Sequence, residues 1–173
     1  YRRFYSAYDR FEDTTAFEPL RDLVENIYTN EYLETLLPKW NSVMQEPDAF
    51  TQLPLQRDFY ARIVKNAKER TVVIISDAMR YEVGKELFHR MQDDPKCSAK
   101  LEVQLSVLPS YTRLGMAALL PHTELTMTDD FKVLVDGLPC DNLSERKTIL
   151  QKYNADAVCV QFDSIKSLKV AEL

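Results

Sequence analysis

The hydrophobic pattern changes character partway along the chain. Over the first third, apolar residues recur at helical spacing. Leu20, Leu23, Val24 and Ile27 fall at i, i+3, i+4 and i+7, and Leu33, Leu36 and Leu37 continue the series, the arrangement of one buried helix face. Pro38 and Pro47 are expected to interrupt it. A further helix is predicted from about Leu55 to Lys68, with Phe59, Ile63 and Ala67 on one face and Arg57, Lys65 and Lys68 solvated. Residues 1 to about 60 are therefore read as a helical lead-in, and its many Tyr and Phe side chains as packing residues.

From Thr71 the pattern alternates. Thr71-Val-Val-Ile-Ile-Ser is a short β-branched run that stops on Asp77, as a strand buried on both faces would, and helix-forming sequence from about Arg80 to Met91 follows. Leu101 to Leu108 reads as a second strand. Pro109-Ser-Tyr breaks it, and Thr112 opens a helical segment ending near Leu120. Beyond it come short extended pieces including Lys132-Val-Leu-Val135, a helix from about Ser144 to Tyr153 that Ser144 can cap, and a strand from Ala157 to Phe162. Strands separated by helices of this length predict βαβ units and an α/β domain with a mainly parallel sheet.

In that arrangement Asp77 and Thr112 occupy the strand-to-helix turns where open α/β sheets place ligands. Each residue taken alone has a structural use, because Asp and Thr oxygens accept the unpaired N–H groups at a helix start. As a pair they point further. Two such turns on one sheet edge can converge on one crevice, where a carboxylate holds a divalent cation and the cation activates a hydroxyl nucleophile.

Composition narrows the field. The 173 residues, 45% hydrophobic, suffice for one sizeable core with an appendage. Only three glycines occur, with no G-x-G-x-x-G and no P-loop, so the chemistry must rest on side chains and metal. A formal charge of −5 provides no diffuse basic surface for phosphate backbones, which argues against a general nucleic-acid binder within this segment. Cys97, Cys140 and Cys159 are widely spaced and odd in number, the pattern expected of a reducing cytoplasm rather than a disulfide scaffold, with Cys159 read as a core residue. Neither a membrane span nor a signal peptide is expected. Opening on Tyr1-Arg-Arg-Phe4 and closing on Val170-Ala-Glu-Leu173, the chain is read as an excised segment of a longer protein.

Two long motifs carry a resemblance. Val72-Val-Ile-Ile-Ser-Asp-Ala-Met-Arg-Tyr-Glu-Val-Gly-Lys-Glu-Leu87 and Leu105-Ser-Val-Leu-Pro-Ser-Tyr-Thr-Arg-Leu-Gly-Met-Ala-Ala-Leu-Leu-Pro-His122 resemble the PglZ domain of the alkaline-phosphatase superfamily, found in BREX bacteriophage-resistance systems. Shorter matches extend it: Ile27 to Trp40 upstream, and Val135-Asp-Gly-Leu138 and Ala157 to Asp163 downstream. The resemblance implies that residues 61–173 form the first half of a three-layer alkaline-phosphatase-like domain, behind a lead-in over 1–60. It implies a cytoplasmic metal-dependent phosphatase or phosphodiesterase, with other phage-defence proteins and a phosphoester substrate, which could be nucleic acid, as partners. Two divalent cations, zinc or manganese, would flank the nucleophile. Asp77 matches the superfamily's first metal-binding Asp, and Thr112 matches the metal-bound nucleophile.

The remaining ligands of such a cage come from later Asp and His residues, including an Asp-His-Gly box that does not occur in this chain. The isolated segment is therefore expected to be inactive and to bind metal weakly or not at all. Arg80, Arg113 and His122 are secondary candidates for substrate binding. Their competing uses are surface ion pairs for the two arginines and capping of helix-terminal carbonyls for His122. His89 reads as a surface residue, Asp163 as a helix cap, and Tyr111 as packing beside Thr112. Two other classes compete. A receiver-like signalling module would need an acidic pair on an earlier strand, which the helical lead-in does not supply. A catalytically degenerate phosphatase fold could serve as a scaffold or partner-binding module in a defence complex.

Overall fold

The computed structural model describes residues 1–46 and 48–166, so Pro47 and the end of the expected phosphatase-like domain lie outside the described residues. The chain forms two compact units, Tyr1–Thr51 and a second beginning at Gln52.

The first unit is helical, as its periodicity predicts. α1 (Arg2–Tyr8) is followed by a 3-10 turn, Thr15–Phe17, and by a nearly continuous rod made of α2 (Glu18–Asn26), a π-helical stretch Ile27–Leu33 and α3 (Glu34–Met44). Pro38 does not end the helix; it lies inside α3. Its ring removes one rung of the i→i−4 ladder, and the rest of the helix carries on around the gap. The apolar stripe is not buried within this unit: Leu20, Leu23, Ile27, Leu36 and Leu37 are exposed. The aromatic residues contact one another instead. Tyr1 stacks on Tyr28 with ring centroids 3.9 Å apart, and Tyr28 on Tyr32 at 5.7 Å. The Tyr5 hydroxyl donates to the Glu25 carboxylate, which pushes the Tyr5 phenol up to about 12.

The second unit is mixed α/β. It holds α4 (Tyr81–Gln92), α5 (Thr112–Ala118), a three-stranded sheet of β1 (Leu125–Met127), β2 (Val133–Val135) and β3 (Leu138–Pro139), then α6 (Leu143–Tyr153) and α7 (Phe162–Ile165). The sheet is antiparallel in the order β1-β2-β3, with Leu125 opposite Val135 and Val135 opposite Leu138. Asp136 and Gly137, with φ of 49° and 75°, make the β2–β3 turn; two consecutive left-handed residues match the twist of a two-residue hairpin. Leu114 and Ala117 of α5, Leu120, Val133 and Val135 of β2, Cys140 and Ile149 of α6 form the buried core. Burial raises the Cys140 thiol pKa, because the thiolate would lose its hydration.

α6 begins one residue earlier than Ser144, and Asn142 caps it. The Asn142 side chain accepts from Glu145 N at 2.9 Å, and Glu145 Oε2 accepts from Asn142 N at 3.3 Å, a reciprocal capping box. The helix expected over Leu55–Lys68 is a 3-10 turn, Gln56–Asp58, and a π-helical turn, Tyr60–Val64.

The three runs expected as parallel strands behave differently. Among the described residues 71–76, 101–108 and 157–160 are not in a sheet, and the sheet is built from other segments; Leu55 pairs with Leu105 in a single parallel bridge. A run that is apolar on both faces needs ladder partners beside it and helices above and below. Val72 and Ile74 lack that cover here, 74% and 85% exposed. No helix among the described residues is long and apolar enough to cross a membrane.

Candidate functional site

Asp77 and Thr112, 35 residues apart, meet. Thr112 Oγ1 donates to Asp77 Oδ2 at 3.1 Å, and Ala78 N donates to Asp77 Oδ1 at 3.0 Å, so both carboxylate oxygens are engaged and the group is held in one orientation. The chain reverses at once after Asp77, since Ala78 sits at φ 55°, a left-handed conformation that costs an L-residue with a Cβ about 1–2 kcal/mol. Neither oxygen caps a helix. The N-cap of α5 is Tyr111 and that of α4 is Arg80, each without a side-chain cap bond. Thr112 is the first helical residue of α5, and its hydroxyl is directed across to another segment rather than back into its own helix. Both side chains face solvent.

Gln56, which the sequence pattern did not single out, supports this arrangement. Its Oε1 accepts from Val107 N at 3.1 Å and its Nε2 donates to the Gly115 carbonyl at 3.2 Å. Backbone bonds from Gln56 N to Leu105 O and from Leu105 N to Pro54 O, both 2.8 Å, complete the join. One amide therefore ties the extended segment before Pro109 to the helix that carries Thr112. The partners are 51 and 59 residues away, and no local periodicity marks such a residue.

The secondary candidates separate. Arg80 lies at the start of α4, three residues after Asp77, and is exposed. Arg113, next to Thr112, pairs with Asp141 at 3.8 Å. His122 lies past the opposite end of α5, which rises about 9 Å over its length, and its Nδ1 is 2.7 Å from the carbonyl of Leu120, which lies beyond the helix and its C-cap Leu119, so the contact is local and not a helix cap. Tyr111 is half-buried against the core, and its hydroxyl donates to Phe131 O at 3.2 Å, over the β1–β2 hairpin. Asp163 is not a cap: Gln161 holds that position, and Asp163 pairs with Lys166 at 2.8 Å. His89 is exposed on α4, and Cys159 is half-buried, Cys140 being the core cysteine.

Asp77 and Thr112 supply two hard oxygen donors of the kind that divalent cations take. Four to six are needed, and among the described residues no group of three or more His, Cys, Asp or Glu could hold a metal. The pair alone does not fit a complete metal centre. What it does present is an exposed hydroxyl whose proton points at a fixed carboxylate.

Residues 57–173 match the model of the BREX system PglZ alkaline phosphatase-like domain. The chain is 40% identical over 175 aligned positions to the alkaline phosphatase-like protein PglZ of Bacillus cereus (strain H3081.97), an alignment covering 97% of this chain and 20% of that protein. It is 39% identical over 151 positions to the alkaline phosphatase-like protein BrxZ of Escherichia coli O9:H4 (strain HS), covering 80% of this chain and 18% of that one. The chain thus spans about a fifth of the length of these relatives. No solved structure matches it. With a family model covering everything from Arg57 onwards, and with Asp77 and Thr112 inside the matched stretch, the chain belongs to the PglZ family of BREX alkaline phosphatase-like domains.

Proposed function

We propose that the full-length protein is a metal-dependent hydrolase of phosphomonoesters or phosphodiesters acting in a cytoplasmic phage-defence system, with Thr112 as nucleophile. The observation that carries this is the 3.1 Å bond from Thr112 Oγ1 to Asp77 Oδ2, made by two residues that could each have served as a helix cap and do not. In the reaction Thr112 Oγ1 gives up its proton and bonds to phosphorus, the ester oxygen departs with a proton as the alcohol, and water then cleaves the phosphothreonine, restoring Thr112 and releasing phosphate from a monoester or a phosphomonoester from a diester. Asp77 holds the hydroxyl in line and faces its proton. Arg80 and Arg113, within one helical turn of the pair in sequence, would take phosphoryl oxygens, Arg113 by exchanging its Asp141 partner for them.

Divalent zinc or manganese would supply charge neutralisation at the phosphoryl group, with donors beyond Asp77 and Thr112. The runs 71–76, 101–108 and 157–162 become strands of a mainly parallel sheet in the full-length protein, and other phage-defence proteins are its partners.

The test is turnover of aryl phosphates and diesters by the full-length protein. Thr112→Ala removes the attacking oxygen and abolishes turnover, whereas Thr112→Ser keeps a hydroxyl and retains appreciable activity. Equal activity in wild type and Thr112→Ala, or no turnover in either with added zinc or manganese, would instead make the protein a phosphatase-fold scaffold.

A further inference from the structure

A cavity of about 220 Å³ lies in the second unit, past the end of α5 opposite Thr112. Its floor is apolar, Leu120 and Pro121, both buried. Its rim carries Arg57, Lys65 and His122. In a chain of net charge −5 this is a local concentration of cationic and imidazole groups. Among the described residues neither Arg57 nor Lys65 makes an ion pair or side-chain hydrogen bond, although six other Lys or Arg side chains do make ion pairs.

Asp136, a carboxylate near His122, is engaged by other groups. Asp136 Oδ1 accepts from Glu124 N at 2.7 Å and Thr123 N at 2.9 Å, and Oδ2 accepts from the Tyr153 hydroxyl at 3.3 Å. Asp136 is thereby committed to the hairpin and to a tyrosine on the cavity wall.

We propose that this cavity, with Arg57 and Lys65 opposite the fixed imidazole of His122, binds a phosphate group. The chemistry of His122 selects the anion. A carbonyl cannot donate, so the 2.7 Å contact with Leu120 O puts a proton on Nδ1 and leaves Nε2 as the nitrogen for a ligand. On a neutral imidazole that nitrogen accepts a hydrogen bond. Inorganic phosphate at neutral pH keeps a hydroxyl to donate, its second ionisation lying near pH ~6 to 7, and still offers charged oxygens to Arg57 and Lys65. A carboxylate offers only acceptors. Size sets the scale: the cavity is smaller than the ~300 Å³ from which pockets for drug-sized ligands begin, so it suits inorganic phosphate and not a whole nucleotide. The site stands apart from the Asp77 and Thr112 pair, and the inference does not rest on the hydrolase reading.

Equilibrium dialysis of the full-length protein against radiolabelled inorganic phosphate, with metals removed by EDTA, tests it. One equivalent binds saturably to wild type and to Thr112→Ala. Arg57→Gln and Lys65→Gln each weaken binding at least tenfold, and since both positions are exposed both variants fold. Excess acetate leaves the phosphate bound. Absence of saturable binding, binding that survives both rim substitutions, displacement by acetate, or loss in Thr112→Ala with retention in Arg57→Gln would overturn the proposal.

Discussion

Val133 and Val135 on β2 are 1% and 0% exposed, whereas Val72 and Ile74, in a run of the same β-branched residues, are 74% and 85% exposed. The difference lies in what surrounds each run. β2 has a ladder partner on either side, and its core includes Leu114 from α5 and Ile149 from α6. The run after Thr71 has neither, yet it delivers Asp77 to Thr112 just the same. Apolar composition describes what a segment can bury; a sheet exists only where other strands supply the hydrogen bonds.

The sharpest way to break this comparison is truncation on its two sides. In the 173-residue chain, Ile149→Ala removes a side chain 2% exposed in the closed core and should cost about 2–5 kcal/mol. Ile74→Ala, in the open run, should stay within about 0.5 kcal/mol, as other solvent-facing changes do. In the full-length protein, where the run is expected to be a buried strand, Ile74→Ala should rise to the range of a core truncation. Denaturant midpoints of the three variants, each against its own wild type, measure this, and an Ile74→Ala that stays neutral in the full-length protein would deny the run a place in a sheet.

Gln56→Leu probes the join between the open segment and the closed core. It leaves Val107 N and Gly115 O without their partners, at a cost of about 1–3 kcal/mol. Amide exchange at Val107 should accelerate in this variant while exchange within α6 stays as in wild type.

The smallest effect belongs to the hairpin. The backbone N–H groups of Glu124 and Thr123 hold the Asp136 carboxyl below its ordinary pKa. A depressed pKa in the folded state gives stability that is fully present above the unfolded value of about pH 4 and is lost as pH falls through the folded value. Asp136→Asn should therefore lower the urea midpoint at neutral pH and flatten its decline in acid. Parallel curves for the two proteins would show that the carboxylate contributes nothing.

Local pattern made α4, α5 and α6 legible, each starting within a residue or so of its expected position. Two strand-to-helix breaks made the meeting of Asp77 with Thr112 legible, because both depend on local signals. The cap of α6 was legible in principle: Asn142-Leu-Ser-Glu145 has the spacing of a capping box, and the nearer Ser144 drew attention from it. Asp136-Gly137 likewise signals the β2–β3 hairpin. Gln56 and the antiparallel pairing were not legible, since a side chain's partner 59 residues away leaves no trace in a periodicity.

The central claim is that Asp77 and Thr112 act as one site, and a double-mutant cycle on the full-length protein tests it most directly. Hydrolysis of an aryl phosphate is measured for wild type, Asp77→Ala, Thr112→Ala and the double variant. If the two form one unit, each single change removes nearly all turnover and the double variant is no worse than the poorer single one. Losses that multiply would mean that the residues contribute independently, and would contradict the shared site.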